Sequence, residues 1–298
     1  MVSHDRCPAC SSAGIEFFID CSDHFLSGEN FRLFRCRDCS FIFTQGHPGE
    51  AESQKYYESQ EYVSHDDQAK GLTNSLYYLA RTIMLRKKRN LVIKMTGLKQ
   101  GSLLDTGCGT GHFAGVMKKV GWDVTGIEPN LKAREYAAGR FGIKTLAAGE
   151  TASLADSSYD CATLWHVLEH IHDLKGYTRD LYRILKPDGV CLVALPNTSS
   201  YDCRHFGEYW AAWDVPRHLW HFNPGSFIPF ATAAGFLTEE IRPMPLDILY
   251  ISVLSSRYKG SSFPLLTGIL KGSWFLLKSL VNRQASGSLI YILSKPSS

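Results

Sequence analysis

The sequence predicts an α/β fold built on a seven-stranded sheet, preceded by a small cysteine-bearing module. Three observations predict it. From residue 102 onward, short aliphatic runs alternate with helical patterns, the alternation from which parallel sheets with helices on both faces are built. The first run, Leu103-Leu104, leads into an acid and three spaced glycines, Asp105-Thr106-Gly107-Cys108-Gly109-Thr110-Gly111. Ahead of it stand two cysteine pairs of equal spacing, Cys7-Pro8-Ala9-Cys10 and Cys36-Arg37-Asp38-Cys39.

The cysteine module comes first, over residues 1–46. Two C-x2-C knuckles separated by 25 residues can place four thiolates at the corners of a tetrahedron, the closed geometry of structural zinc. Cys7, Cys10, Cys36 and Cys39 are therefore expected to hold Zn2+ in a zinc ribbon. Phe31-Arg32-Leu33-Phe34 and Phe41-Ile42-Phe43 alternate as its small sheet. Cys21 and His24 lie between the knuckles and read as bystanders, because the outer four thiols already complete a site. Residues 47–100 read as a linker with N-terminal helices. Residues 47–75 are polar, with Tyr56, Tyr57, Tyr62 and the pair Asp66-Asp67, a connecting segment placed to fold over an active site. Leu76 to Leu98 has helical spacing, and its basic run Arg86-Lys87-Lys88-Arg89 reads as a solvated face.

The remaining elements, 101–298, alternate. Strand 102–106 enters the glycine turn, where each missing Cβ lets backbone approach a ligand and a helix from 111 to 120 presents its N-terminus. Strand 123–128 follows, ending at Glu128-Pro129, then helix 130–140 and strand 143–147. Strand 159–166 and helix 174–186 lead to the turn Lys186-Pro187-Asp188-Gly189. Strand 190–195 comes next. Asn223-Pro224 starts a helix, with Asn as its cap and Pro at the first position, and strands 236–242 and 288–294 complete the sheet. Two inserts, 197–222 and 245–287, do not belong to a minimal sheet. Ligands in open parallel sheets sit beyond the carboxyl ends of the strands, so the first insert is expected to build a substrate wall. The second is apolar from Phe263 to Val281, but Lys271 and Lys278 interrupt it and argue against a membrane span. A cap helix, a dimer surface and a peripheral membrane contact stay open for it, in that order.

Composition sets broad bounds. At 298 residues, 44% hydrophobic and 20% charged, the chain is an ordinary globular one. No apolar run follows Met1, and the nine cysteines are an odd number, so a reducing, cytoplasmic setting is expected. Charge is uneven: residues 241–298 carry seven Lys/Arg and one acid, whereas residues 1–45 carry four arginines and six acids.

The glycine spacing separates ligands. A dinucleotide turn reads G-x-G-x-x-G; here it is D-x-G-x-G-x-G, and His112 occupies the place of the third dinucleotide glycine. An acid before the turn suits an ammonium group, and an acid at the tip of the second strand suits a ribose diol. With Leu104 to Gly111 and Gly126-Ile127-Glu128-Pro129 in these places, the chain resembles the class I S-adenosylmethionine-dependent methyltransferases over roughly residues 76–298. The resemblance implies a Rossmann-like, mostly parallel sheet in the order 3-2-1-4-5-7-6, with the last strand inserted antiparallel beside strand five. It also implies S-adenosyl-L-methionine as cofactor, its methionine end held by Asp105, Gly107, Gly109 and Gly111 and its ribose by Glu128. Gly149-Glu150-Thr151 falls where the family contacts adenine, although many relatives have aspartate at the position of Glu150.

The fourth strand ends in Leu164-Trp165-His166-Val167-Leu168-Glu169-His170. Its H-x-x-E-H resembles a zinc-peptidase motif, but it lies at a strand end with no third ligand in view, and strand ends of this methyltransferase class often read V-L-E-H. His166 is expected to line the methionine end or to act as base; packing is its alternative. The densest stretch, Tyr209 to Phe222, holds three of the six tryptophans. In it His218 or His221 could serve as base, Asp214 could orient it, and Arg217 could hold an anionic substrate; an Arg–Asp pair within aromatic packing is the structural alternative. By resemblance, similar zinc-ribbon methyltransferases act in bacterial sugar and cell-surface biosynthesis, so a small-molecule or glycan-precursor acceptor is expected. The alternatives are an RNA methyltransferase or a non-catalytic cofactor-binding module. The acidic ribbon, and a strand end without the Asn/Asp-Pro-Pro-aromatic turn, count against a nucleic acid partner. Oligomeric state is not legible.

Overall fold

A computed structural model describes residues 1–57 and 72–296. The first three strands, β1 (Ile15–Ser22), β2 (Asn30–Cys36) and β3 (Ile42–Gln45), pair antiparallel. Their alternation is visible in β2, where Phe31 and Leu33 are buried while Asn30 and Arg32 face out, as a period of two requires. A short helix, α1 (Glu50–Ser53), and a long one, α2 (Leu72–Thr96), lead to the larger sheet. Tyr62, Asp66 and Asp67 lie outside the described residues.

The larger sheet begins with β4 (Ser102–Thr106), β5 (Asp123–Ile127), β6 (Lys144–Leu146), β7 (Tyr159–Trp165) and β8 (Leu185–Pro196). Outside it lies the two-residue strand β9 (Trp220–His221), after which β10 (Leu237–Pro243) and β11 (Ser288–Ser294) return to it. The order is β10-β11-β8-β7-β4-β5-β6, with β11 antiparallel to both neighbours. In sheet numbering this is 3-2-1-4-5-7-6, the order the resemblance implies. Adjacent residues of β4 divide between the two cores: Leu104 packs with Leu164, Val193 and Phe227, and Leu103 packs with Val92, Met117 and Leu192.

Helices α3 (His112–Lys119), α4 (Leu131–Phe141), α5 (Leu174–Ile184), α6 (Tyr201–Phe206) and α7 (Pro224–Ala233) connect the strands. Their starts are capped by side chains: Asn130 accepts from Ala133 N–H, Asp173 from Gly176 N–H, Ser200 from Cys203 N–H and Asn223 from Ser226 N–H, each satisfying one free donor of a helix end. The insert between β10 and β11 is a hairpin of α8 (Asp247–Tyr258) and α9 (Pro264–Val281).

Two expectations change. The Lys186–Gly189 turn does not precede the fifth strand but interrupts it. Tyr159 pairs with Leu185, and two residues on Cys161 pairs with Val190, so the turn bulges from the strand, with Asp188 at φ 63°. The ribbon sheet also has a fourth strand from elsewhere: β9 pairs antiparallel with β3, Phe43 opposite Trp220 and Ile42 opposite His221. The first insert therefore joins the ribbon to the larger sheet.

Candidate active site

The turn after β4 has Gly107, Gly109 and Gly111 at φ 65°, 52° and 79°, a region L-residues avoid. The three differ in what a side chain would meet. A Cβ at Gly107 would lie 2.4 Å from Val167 Cγ2 and one at Gly111 2.7 Å from Ala137 Cβ, whereas one at Gly109 would meet nothing within 4 Å. Gly107 and Gly111 are thus closed by packing, and Gly109 borders open space. Glu128 fastens the turn to the tip of β5, accepting from Gly109 N–H at 3.0 Å and from Asn130 N–H at 3.0 Å. Beneath it, Asp105 is buried and accepts from the Thr163 hydroxyl at 2.7 Å. Burial pushes its carboxyl up to about 7, against the opposing pull of Thr163 and Lys88. Glu150 lies apart: its carboxylate accepts from Ala147 N–H at 2.6 Å and caps its own turn.

At the end of β7 a charged cluster forms. His166 has Nε2 2.9 Å from Asp247 Oδ2 and Nδ1 3.4 Å from Glu169 Oε1, with its backbone at φ 59°. Burial opposes its charge, yet the two carboxylates overcome it and hold its pKa up at about 10. Both ring nitrogens of His166 are thus engaged by carboxylates. His170 is the opposite case. Burial and the neighbouring His218 bring it down to about 4. Its Nδ1 lies 3.0 Å from the Arg217 carbonyl and 3.1 Å from the Tyr57 hydroxyl. A carbonyl only accepts, so the proton sits on Nδ1, and among the described residues no hydrogen bond engages Nε2.

The sequence-selected residues of the first insert separate. His218 packs edge-on against His170, ring centroids 4.6 Å apart, with Nε2 3.9 Å from Asp214 Oδ2 and Nδ1 2.9 Å from the Ala212 carbonyl. Arg217 does not face the cluster. Its guanidinium donates to Asp23 at 2.8 Å and to Asp214 at 2.8 Å and is 1% exposed, so its donors are taken within the fold. His221 is buried beside Thr44. The Thr44 hydroxyl donates to the His218 carbonyl, leaving its oxygen to accept from His221 Nε2 at 3.0 Å. Burial holds His221 well below its usual pKa.

Four groups at the site were not selected from the sequence as functional. Glu169 and His170 belong to a motif read only for His166. Asp247 is the single acid of residues 241–298, the one sequence feature that marks it. Lys88 departs from the solvated face expected for its basic run: its ammonium lies 4.3 Å from the centre of the Trp165 ring, and burial lowers its pKa against the pull of Asp105 and Asp247. A third donor also stands beside the H-x-x-E-H pair, since ligand atoms of Glu169, His170 and His218 lie within 4.8 Å of one another. The sequence placed no such donor there.

In the ribbon, the Sγ atoms of Cys7 and Cys39, and those of Cys10 and Cys36, are 3.6 Å apart, and all four lie within 4.8 Å of one another. Tetrahedral zinc with bonds of about 2.3 Å separates its sulfurs by roughly 3.8 Å, so the donor set fits that ion. Cys21 is buried away from these thiols and His24 stacks on Tyr258 at 4.7 Å.

A family model described as a methyltransferase domain matches residues 78–241, more than half of the chain. A ubiquinone biosynthesis O-methyltransferase of Azorhizobium caulinodans is 27% identical over 182 residues, 57% of this chain and 72% of the relative. A malonyl-[acyl-carrier protein] O-methyltransferase of Serratia marcescens is 31% identical over 146 residues, 48% of this chain and 56% of the relative. Among solved structures, one provisionally assigned as a sarcosine dimethylglycine methyltransferase from Galdieria sulphuraria superposes with a TM-score of 0.51 at 15% identity, covering 73% of this chain and 86% of that one.

Proposed function

Since this chain belongs to the class I S-adenosylmethionine-dependent methyltransferases, we propose that it methylates a hydroxyl group of a small-molecule or glycan-precursor acceptor, with His170 as the base. The observation that carries this reading is the tautomer of His170: the Arg217 carbonyl fixes its proton on Nδ1, so a neutral Nε2 is available to take the acceptor's proton. The relatives named for O-methyl transfer support the choice of oxygen.

When bound, the cofactor supplies a methyl group already activated on a sulfonium. The chain then has to hold the two reactants in line, exclude water and remove one proton. Asp105 would pair with the ammonium of the methionine end. Gly109, whose missing side chain leaves the turn open, would admit the cofactor beside the backbone, between the packed Gly107 and Gly111. The Glu128 carboxylate would accept from the ribose hydroxyls. His166, charged between Asp247 and Glu169, is a positioning residue: it orders the two carboxylates and fixes the end of β7. Asp214 and His218 flank His170 and keep its ring in place. We give Arg217 and His221 structural roles in joining the ribbon to the first insert, and Glu150 the capping of its own turn. The four ribbon thiols would hold a structural Zn2+.

Calorimetric titration with S-adenosylhomocysteine tests the cofactor site, with NAD as control. Binding of the first alone, weakened at least tenfold by Glu128→Ala, is expected; preferential NAD binding would overturn the reading. Release of S-adenosylhomocysteine across a panel of phenols, carboxylic acids, glycosides and amines then tests the acceptor. His170→Asn should abolish turnover of the productive hydroxyl compound while leaving S-adenosylhomocysteine binding intact. Turnover of amines alone, or unchanged turnover by the variant, would refute it.

A further inference from the structure

The α8–α9 hairpin is built with its polarity reversed. The face of α9 turned into the protein carries Gly268, Gly272, Phe275 and Ser279, and its two glycines let the backbone of α8 approach at Val253 and Leu249. The packing is close enough that a Cβ at Gly268 would lie 2.3 Å from Val253 Cα and one at Gly272 3.1 Å from Leu249 Cα. The outward face holds the large apolar side chains instead: Leu266, Leu270, Trp274 and Leu277 are 60, 62, 56 and 57% exposed, and Val281 is 91% exposed. A helix in water puts its large apolar residues inward. Small residues between helices and large ones outward is the arrangement used where the surroundings are hydrocarbon.

Charge borders this face on one side. At 100° per residue, Lys271 and Lys278 fall along one edge of the apolar arc. With Arg204, Tyr201, His205 and Trp274 they line a groove of about 400 Å3. Arg204 and Lys278 lie 5.0 and 5.2 Å from the centre of the Tyr201 ring, so the cations are held at this rim. Among the described residues that line the groove there is no acid: Asp247, the only one in residues 241–298, is bound to His166, and Asp202 of α6 is buried against Trp210.

We propose that the outer face of α9 docks the protein on a bilayer bearing anionic headgroups, the apolar arc entering the acyl boundary and the Arg204–Lys271–Lys278 groove taking a headgroup phosphate. None of the described helices is long and apolar enough to cross a membrane, so the contact is peripheral, with α9 lying in the interface. Charge complementarity selects the bilayer over a second copy of the chain, because the hairpin offers no free acid to pair with these cations across a two-fold contact. This inference is independent of the acceptor chemistry proposed above.

The experiment is sedimentation of the full chain with vesicles of phosphatidylcholine alone and of phosphatidylcholine with phosphatidylglycerol. Binding to the anionic vesicles is expected, with a blue shift of tryptophan fluorescence, and it should weaken about fivefold for each of the three cations replaced by Gln. Leu270→Gln with Leu277→Gln should abolish it. Because both side chains are exposed, S-adenosylhomocysteine affinity of that variant should stay unchanged, which separates loss of docking from loss of folding. Absence of vesicle binding overturns the proposal. In that case, a concentration-dependent dimer in analytical ultracentrifugation that the same double substitution dissociates would make the face a contact between copies. Equal binding to neutral and anionic vesicles would also overturn the assigned role of the groove.

Discussion

Replacing Arg217 by Met separates its structural role from the substrate-binding role its sequence context suggested. The guanidinium is 1% exposed and Asp23, its partner at 2.8 Å, is 0% exposed, while Asp214 is reached at 2.8 and 3.0 Å. It also donates to the Tyr56 carbonyl at 3.3 Å. Methionine keeps much of the length and apolar stem but leaves two carboxylates facing each other without a cation. Asp23 retains the N–H groups of Phe25, Leu26 and Ser27, so its charge is partly compensated. Breaking one side of a buried pair costs about 3–5 kcal/mol, and at about 2 °C per kcal/mol the midpoint should fall by roughly 6–10 °C. Burial alone would raise the Asp23 pKa, but Arg217 holds it below its usual value. The pair therefore stabilises the fold above the unfolded carboxylate pKa, and that contribution is lost as pH falls through the folded value. The difference between wild type and variant, measured by denaturant unfolding, should accordingly shrink below about pH 4. Asp23→Asn in the same chain should restore part of the loss. A variant within about 1 kcal/mol of wild type whose defect is confined to KM for an acidic acceptor would refute the structural assignment.

Further outcomes follow from the same geometry. Gly107→Ala should destabilise by about 2–4 kcal/mol, from positive φ together with overlap on Val167, whereas Gly109→Ala should cost only about 1–2 kcal/mol yet lose S-adenosylhomocysteine binding; unfolding and calorimetry together read the split. Asp105 has a folded pKa up at about 7, above its unfolded value, so a bound ammonium should release its proton; S-adenosylhomocysteine affinity should fall as pH drops below 7, with proton release seen by calorimetry in buffers of different ionisation enthalpy, and a flat profile would sink the pairing. His166, raised to about 10 by Asp247 and Glu169, adds stability that is complete below about pH 6.5 and lost as pH rises through its folded pKa; Asp247→Asn should move its imidazole resonance titration downward in NMR. Chelation of zinc should shift the fluorescence of Trp220, whose strand pairs with the ribbon.

Much of the fold was legible because local chemistry specified it. Apolar strands, the caps at Asn130 and Asn223 and the glycine spacing act over a few residues, and the strand Ser288–Ser294 falls where its pattern ends. The place of the last strand in the sheet came from resemblance, since no periodicity encodes it. On the glycine side the turn lies beside Glu128 and above Asp105, as their spacing suggested; on the other side the selected residues separate. Arg217 and His221 carry chemistry-bearing side chains that the fold consumes, through Asp23 and Thr44, which lie 194 and 177 positions away. Asp247 reaches His166 across 81 positions. Lys88 looks like its basic neighbours and differs only by which face of α2 meets Trp165. Sequence names the groups; what decides their use is the packing partner, which no local pattern reveals.

The borrowed strand of the ribbon has a consequence for biosynthesis. Thr44 and His221 bond across 177 residues, and a ribosome adding about 5–20 residues per second needs roughly 10–35 s to cover that distance. During that interval β3 leaves the tunnel with a bare edge, and Phe41 and Phe43, fully buried at the end, have no Trp220 against them. An unpaired strand edge is a template for pairing with other chains. All four ribbon thiols emerge before that interval begins, so early metal capture could close the knuckles and hold the nascent sheet in register until its last strand arrives. Zinc supply during translation, more than zinc occupancy afterwards, would then govern the soluble yield of this protein.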